Sequence, residues 1–188
     1  YALSLESEAG RLVNLMQSGD IPERATHTDT TINNVLLDDA TGEGICVIDL
    51  DTLMPGSSLY DFGDMVRSAT LNIAEDSPDY RQAVCRRGIF EALASGFVAA
   101  ADFLTPAERA NMAFSGRLIT LECGVRFLTD FLLGDVYFKT RRPRHNLDRC
   151  RTQFALVRSI VAQEEELQRF VDSLPAPRRV PPAAGRSA

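Results

Sequence analysis

Of the 20 basic residues in the chain only Lys139 is a lysine, so positive charge is supplied almost wholly by arginine. No apolar run approaches the ~20 residues that cross a bilayer, and no charged-then-apolar segment opens the chain as a secretion signal would. A soluble, cytoplasmic protein with no membrane partner is expected. The four cysteines, Cys46, Cys85, Cys123 and Cys150, form no C-x-x-C pair, and each sits in an apolar context. That spacing argues against zinc and against disulfides, and for buried free thiols. The formal net charge of −6 argues against non-specific binding to nucleic acid, and no nucleic-acid partner is expected.

What is present is enough for one globular domain: 188 residues, 45% of them apolar. The informative stretch runs from Thr26 to Arg67. It opens with His27-Thr28-Asp29 and reaches Asn34 five residues after the aspartate, the H-x-D-x-x-x-x-N spacing of a phosphoryl-transfer catalytic loop. Val35 to Leu37 reads as a strand, Asp38 to Gly44 as a turn, and Ile45 to Ile48 as the returning strand of a hairpin. Arms of similar length carry Asp49 back beside Asn34. An amide oxygen and a carboxylate there suit a hard cation such as Mg²⁺, which on nucleotide phosphates needs only one or two protein ligands. Asp29, in the same loop, is placed to take the proton of an attacking hydroxyl.

Asp and Asn are also common turn residues, so the eight-residue pattern alone is weak. Its continuation as strand, turn, strand and Asp is much more specific. Asp61-Phe62-Gly63 spells another kinase metal motif, yet it lies 27 residues beyond Asn34, whereas Asp49 lies 15 beyond and ends the hairpin. Asp61 is therefore assigned either to capping a helix from about Phe62 or to bracing the catalytic loop by accepting its backbone N–H groups. His27 reads as a structural histidine that packs under the loop and holds Asp29 in place, with catalytic acid–base work as the other reading.

These residues resemble the aminoglycoside phosphotransferase and choline kinase-like family, whose pattern is His-x-Asp, an Asn five residues on, and a later Ile-Asp. The wording THTDTTINNVLLD…VIDLDTLMPG…LYDFGD is most similar to the N-acetylhexosamine 1-kinase-like branch, and LECGVRFLTDFLLGDVYFK…HNLDRCRTQF extends the likeness to about residue 155. The resemblance implies that Asp29 is the catalytic base, that Asn34 and Asp49 are Mg²⁺ ligands, that Asp61 braces the loop, and that ATP is the co-substrate. It further implies that Arg126 and Tyr137 line a sugar pocket. The activity it implies is phosphorylation of a sugar hydroxyl, the anomeric hydroxyl of an N-acetylhexosamine. Arginine donors suit sugar oxygens and repel a polycationic aminoglycoside. Aminoglycoside, choline or other amino-alcohol kinases, and an inactive lone lobe serving as a binding module, are the rival readings.

Kinases of this architecture use a strand lysine to hold phosphates, and Lys139 is badly placed for that. No glycine-rich phosphate loop precedes residue 26. Residues 1–174 are thus expected to be the C-terminal lobe of a protein-kinase-like (α+β) fold, mainly α with a small β-hairpin, whose N-terminal nucleotide lobe is missing. Residues 175–188, rich in Pro, Ala, Arg and Gly, are expected to be a disordered tail.

Along the rest of the chain, helices are expected over 2–18, about 60–69, 79–101 and from Thr105 to about Leu133 with a break near Ser115-Gly116, and a last helix capped by Asn146 or Asp148 to about Leu174. Thr105-Pro106-Ala107-Glu108 spells a capping box. Met54 to Ser58 reads as a loop, and Arg141 to His145 as a solvated basic turn. Glu122 and Arg126, four apart on one helical face, are expected to pair, partly buried.

Overall fold

The computed structural model describes residues 1–175; the expected tail beyond Pro175 lies outside the described residues. The N-terminal segment, where only Leu12 is fully buried, breaks into a 3₁₀ turn and two short helices, α1 (Glu6–Ala9) and α2 (Arg11–Gln17). Gly19, at φ +84°, ends it. Strand β1 (Arg24–Thr26) leads to the loop from His27 to Asn34, which is followed by the hairpin β2 (Val35–Leu37) and β3 (Gly44–Val47). Its turn is built by Asp38, whose Oδ1 accepts from the N–H groups of Ala40 (2.9 Å) and Thr41 (2.8 Å). Gly42 supplies the positive φ.

Met54–Gly56, expected to be loop, is instead strand β4, antiparallel to β1 with Ala25 opposite Pro55. Two small sheets thus flank the loop where one hairpin was expected. Ser57, whose hydroxyl accepts from Leu59 N–H, caps helix α3 (Ser58–Thr70). Asp61 is therefore inside the helix, not its cap.

The segment expected as one helix from Asp79 is a 3₁₀ turn and an extended stretch before α4 (Arg87–Ala100), and its apolar Val84 and Ile89 are exposed. The Thr105–Glu108 capping box forms. Its helix α5 (Pro106–Arg109) stops after four residues, and α6 (Met112–Leu132) begins beyond Asn111, so the break falls there and Gly116 lies in unbroken helix. Helix α7 (His145–Ser173) carries no side-chain cap; Asn146 and Asp148 are engaged elsewhere.

The core is the junction of α3, α4, α6 and α7. Phe62 is fully buried with its ring 5.8 Å from Phe90 and 5.1 Å from Phe97, beside Val66, Met112, Leu156 and Ile160. Helices α3 and α6 touch through glycines: a Cβ on Gly63 would lie 2.5 Å from the Ser115 carbonyl oxygen, and one on Gly116 2.6 Å from Val66. The letters Asp-Phe-Gly at 61–63 thus include a core ring and a helix-crossing point. Among the described residues no helix is long and apolar enough to cross a membrane. All four cysteines are free; Cys85 and Cys150 are buried, whereas Cys46, contrary to expectation, is exposed on β3, because both faces of this short hairpin remain open.

Candidate active site

The loop between β1 and β2 is held in a conformation that its own residues disfavour. Thr28 has φ +62°, a left-handed backbone that a β-branched residue rarely adopts. Four hydrogen bonds fix it. Asp61, from the first turn of α3, accepts from His27 N–H (2.9 Å) with one oxygen and from Thr28 N–H (2.8 Å) with the other. Thr28 and Thr52 hydroxyls then cross-bond, to the carbonyls of Thr52 (2.8 Å) and His27 (2.6 Å) respectively.

His27 is buried. Its Nδ1 accepts from the Asp29 N–H at 3.3 Å, which leaves Nε2 as the donor to the Ile48 carbonyl at 2.9 Å. This pair of contacts defines the tautomer. The imidazole thereby ties the loop to the end of the hairpin.

Asn34 closes the loop: its Nδ2 donates to the Asp29 carbonyl (2.8 Å) and to Asp29 Oδ2 (2.9 Å), leaving the amide oxygen to other partners. The hairpin aligns Val35 with Val47, and the Ile48 N–H donates to the Asn34 carbonyl at 2.9 Å. Asp49, the next residue, is exposed, has φ +61°, and makes no side-chain hydrogen bond with any described residue. An amide oxygen and a solvent-facing carboxylate thus lie at the base of one hairpin, a donor set of hard oxygens that fits a small divalent cation.

Asp29 also borders a cleft of about 570 Å³ bounded by α3, α6, the residues after α6 and the loop before α4. Arg126 and Tyr137 line the same cleft, so three residues spread over more than 100 positions meet in one hollow, while Asn34 and Asp49 lie outside it. Arg126 is about half exposed (52%), and so is Glu122 (51%), 3.7 Å away; the partly buried pair expected from spacing is an open one, because both side chains face the cleft rather than a neighbouring helix. The Arg126 guanidinium stands over the rings of Tyr137 (5.9 Å) and Phe138 (5.5 Å).

Charges in the cleft are largely spoken for. Arg67, almost buried, is clamped by Asp64 (2.7 Å) and Glu75 (3.0 Å), and Glu75 also accepts from Gln153 (3.0 Å). Glu122 is the carboxylate left loosest. Poor hydration pushes its pKa up, with the nearby Arg126 and Arg67 guanidinium groups pulling the other way. Burial pushes the thiol of Cys123, on the cleft wall, up to about 12, so it stays protonated. A second groove of about 650 Å³, between α2, α6 and α7, shares no lining residue with this cleft. Its Arg117 is paired with Glu8 and Glu164.

Three participants escaped the sequence reading. Strand β1 is anchored by Arg24, which makes a two-pronged pair with fully buried Glu108 (3.0 Å for each prong). Glu108 was legible only as half of a capping box. The basic turn is not solvated throughout: His145 is buried and bonds Asp76 (3.0 Å), and Arg142 also reaches Asp76 and Asp148. Asp130 is the third. It is buried at the end of α6 and holds the segment that bears Tyr137, a placement that no local motif announces.

Among known families, the model of one described as the phosphotransferase enzyme family matches residues 4–103 of the chain. The matched span contains Asp29, Asn34, Asp49 and Asp61. Arg126 and Tyr137 lie beyond it.

Proposed function

The chain belongs to the phosphotransferase enzyme family, and from that premise we propose that it forms the acceptor-binding, catalytic lobe of an ATP-dependent kinase that phosphorylates a sugar hydroxyl, the anomeric hydroxyl of an N-acetylhexosamine. The observation that supports this most is the single cleft bordered by Asp29, Arg126 and Tyr137. Asp29 orients and deprotonates the acceptor hydroxyl. Asn34 and Asp49 would hold Mg²⁺ with the nucleotide phosphates, where it would supply charge neutralisation for phosphoryl transfer. Asn34 Nδ2, donating to both oxygens of Asp29 that it reaches, keeps that carboxylate from rotating away. His27 and Asp61 brace the loop from beneath. Arg126 donates to acceptor oxygens, and the Tyr137 and Phe138 rings give a sugar face something to stack on.

A neutral acceptor suits the charge pattern, since two of the cleft carboxylates are already occupied by Arg67. Glu122, held only at 3.7 Å by Arg126, favours a second reading, in which an amino alcohol or aminoglycoside places an ammonium there. The deciding experiment is an acceptor panel assayed with the complete natural protein and its Asp29→Asn and Arg126→Ala variants. Asp29→Asn is expected to lower turnover about 10²–10⁴-fold with acceptor binding retained. Arg126→Ala is expected to impair N-acetylhexosamines selectively; preferential turnover of amino alcohols, unaffected by Arg126→Ala, would transfer the assignment to the second reading.

A further inference from the structure

The wall of the cleft that carries Tyr137 is not a regular element. Helix α6 ends at Leu132, Gly134 and Asp135 both take positive φ, and residues 136–138 follow without helix or strand to hold them. Val136 and Tyr137 are three-quarters exposed, so packing does not fix them either. Phe138 at the end of the segment packs its ring 4.7 Å from Phe127, but what gathers the backbone of all three is one carboxylate. Asp130 Oδ1 accepts from the N–H groups of Val136 (3.0 Å) and Tyr137 (2.8 Å), and Oδ2 accepts from Phe138 N–H (3.0 Å) and from Asn146 Nδ2 (2.8 Å). Asn146, fully buried at the start of α7, also donates to Asp135 (2.9 Å) and accepts from Arg149 (3.0 Å), which itself borders the cleft.

A side chain that is only 4% exposed has thus gathered three consecutive backbone donors that would otherwise face water. An isolated buried carboxylate is costly, and a loop of exposed residues needs no such anchor to stay soluble. We propose that Asp130 is a positioning residue for acceptor binding: it acts through the backbone of residues 136–138 to set the Tyr137 and Phe138 rings, and with them Arg126, at the height a bound sugar requires. The inference rests on reading this cleft as the acceptor site. Asp130 itself touches no substrate.

Steady-state kinetics on the complete protein with Asp130→Asn, Tyr137→Ala and the double variant test it. Loosening a binding wall should raise the acceptor KM about tenfold or more, with kcat and the nucleotide KM within about twofold. In the Tyr137→Ala background, Asp130→Asn should add less than it does in the parent, because part of its effect runs through the Tyr137 ring. Equal effects on both KM values, or full additivity in the double variant, would overturn the positioning role. Tyr137→Ala with an unchanged acceptor KM would instead overturn the reading of the cleft. Amide exchange on the unaltered protein gives an answer even if Asp130→Asn fails to fold. The amides of residues 136–138 should exchange more slowly than those of Lys139 and Thr140, and equally rapid exchange would sink the inference.

Discussion

Asp61→Asn replaces one carboxylate oxygen by a donor without changing the side chain's shape. Both oxygens are used: His27 N–H and Thr28 N–H donate to them at 2.9 and 2.8 Å. In the variant one bond is lost, a donor faces a donor, and the surviving bond is no longer charge-assisted. Charge-assisted bonds contribute about 1.5–3 kcal/mol each against about 1 for neutral ones, so the change removes roughly 2–4 kcal/mol from the loop. The strain at Thr28, with its left-handed backbone, is of order 1–3 kcal/mol. What then remains against the strain is a set of neutral bonds, the Thr28 and Thr52 hydroxyls, the Thr30 hydroxyl to the Asp61 carbonyl (2.6 Å) and His27 to the Ile48 carbonyl (2.9 Å), so the margin that holds Thr28 left-handed narrows by its charge-assisted part. The loop should relax out of register and carry Asp29 with it, and kcat/KM should fall roughly 30-fold or more, at about 1.4 kcal/mol per factor of ten. The assay is steady-state phosphoryl transfer by the complete protein, paired with thermal melting to separate a local from a global effect. A kcat/KM within about threefold of the parent would refute the reasoning, since the strain could not then be balanced by these bonds.

Two other perturbations address the frame around the loop. Glu108→Ala leaves Arg24 without its two-pronged partner and frees the Ser58 hydroxyl and Thr105 N–H; breaking this pair should cost about 2–4 kcal/mol in urea unfolding, discounted because Arg24 is partly exposed. Burial raises the Glu108 pKa, but Arg24, Thr105 N–H and the Ser58 hydroxyl outweigh it and hold the carboxyl below its usual value of 4.5. Its contribution is therefore complete above pH 4.5 and is lost as pH falls through the lowered folded-state value, and this acid-limb dependence should be absent in Glu108→Gln. Gly63→Ala brings a methyl to 2.5 Å from a backbone oxygen that cannot rotate aside, so α3 and α6 must separate, with a loss of about 1–3 kcal/mol. An unchanged melting temperature would show that the helices cross more loosely than described.

The mainly helical character and the hairpin were legible because both are written locally. Two short apolar runs, the Asp38 turn and Gly42 lie within about a dozen positions of one another, and no distant contact is needed to form them. The capping box at Thr105–Glu108 was legible for the same reason. Strand β4 was not: Met54-Pro55-Gly56 has the composition of a loop, and it becomes a strand only because Arg24–Thr26 lies beside it, with the Thr26 hydroxyl donating to the Met54 carbonyl at 2.8 Å. The start of α4 was misplaced because Leu71 pairs with Cys85 in an isolated bridge, which keeps the preceding residues extended despite their helical spacing.

By itself the sequence determined the order of chemical groups along one ribbon: an aspartate, an amide five residues on, and a carboxylate at the far end of a hairpin. Short-range backbone pairing suffices to bring such neighbours together. Only the tertiary structure decided that Arg126, 97 positions from Asp29, opens into the same hollow. That meeting depends on how closely α3 and α6 cross at Gly63 and Gly116, and on Asp130 collecting the backbone that bears Tyr137. Contacts of this kind join segments whose separation along the chain carries no periodic signal, so they exist only once the core has packed.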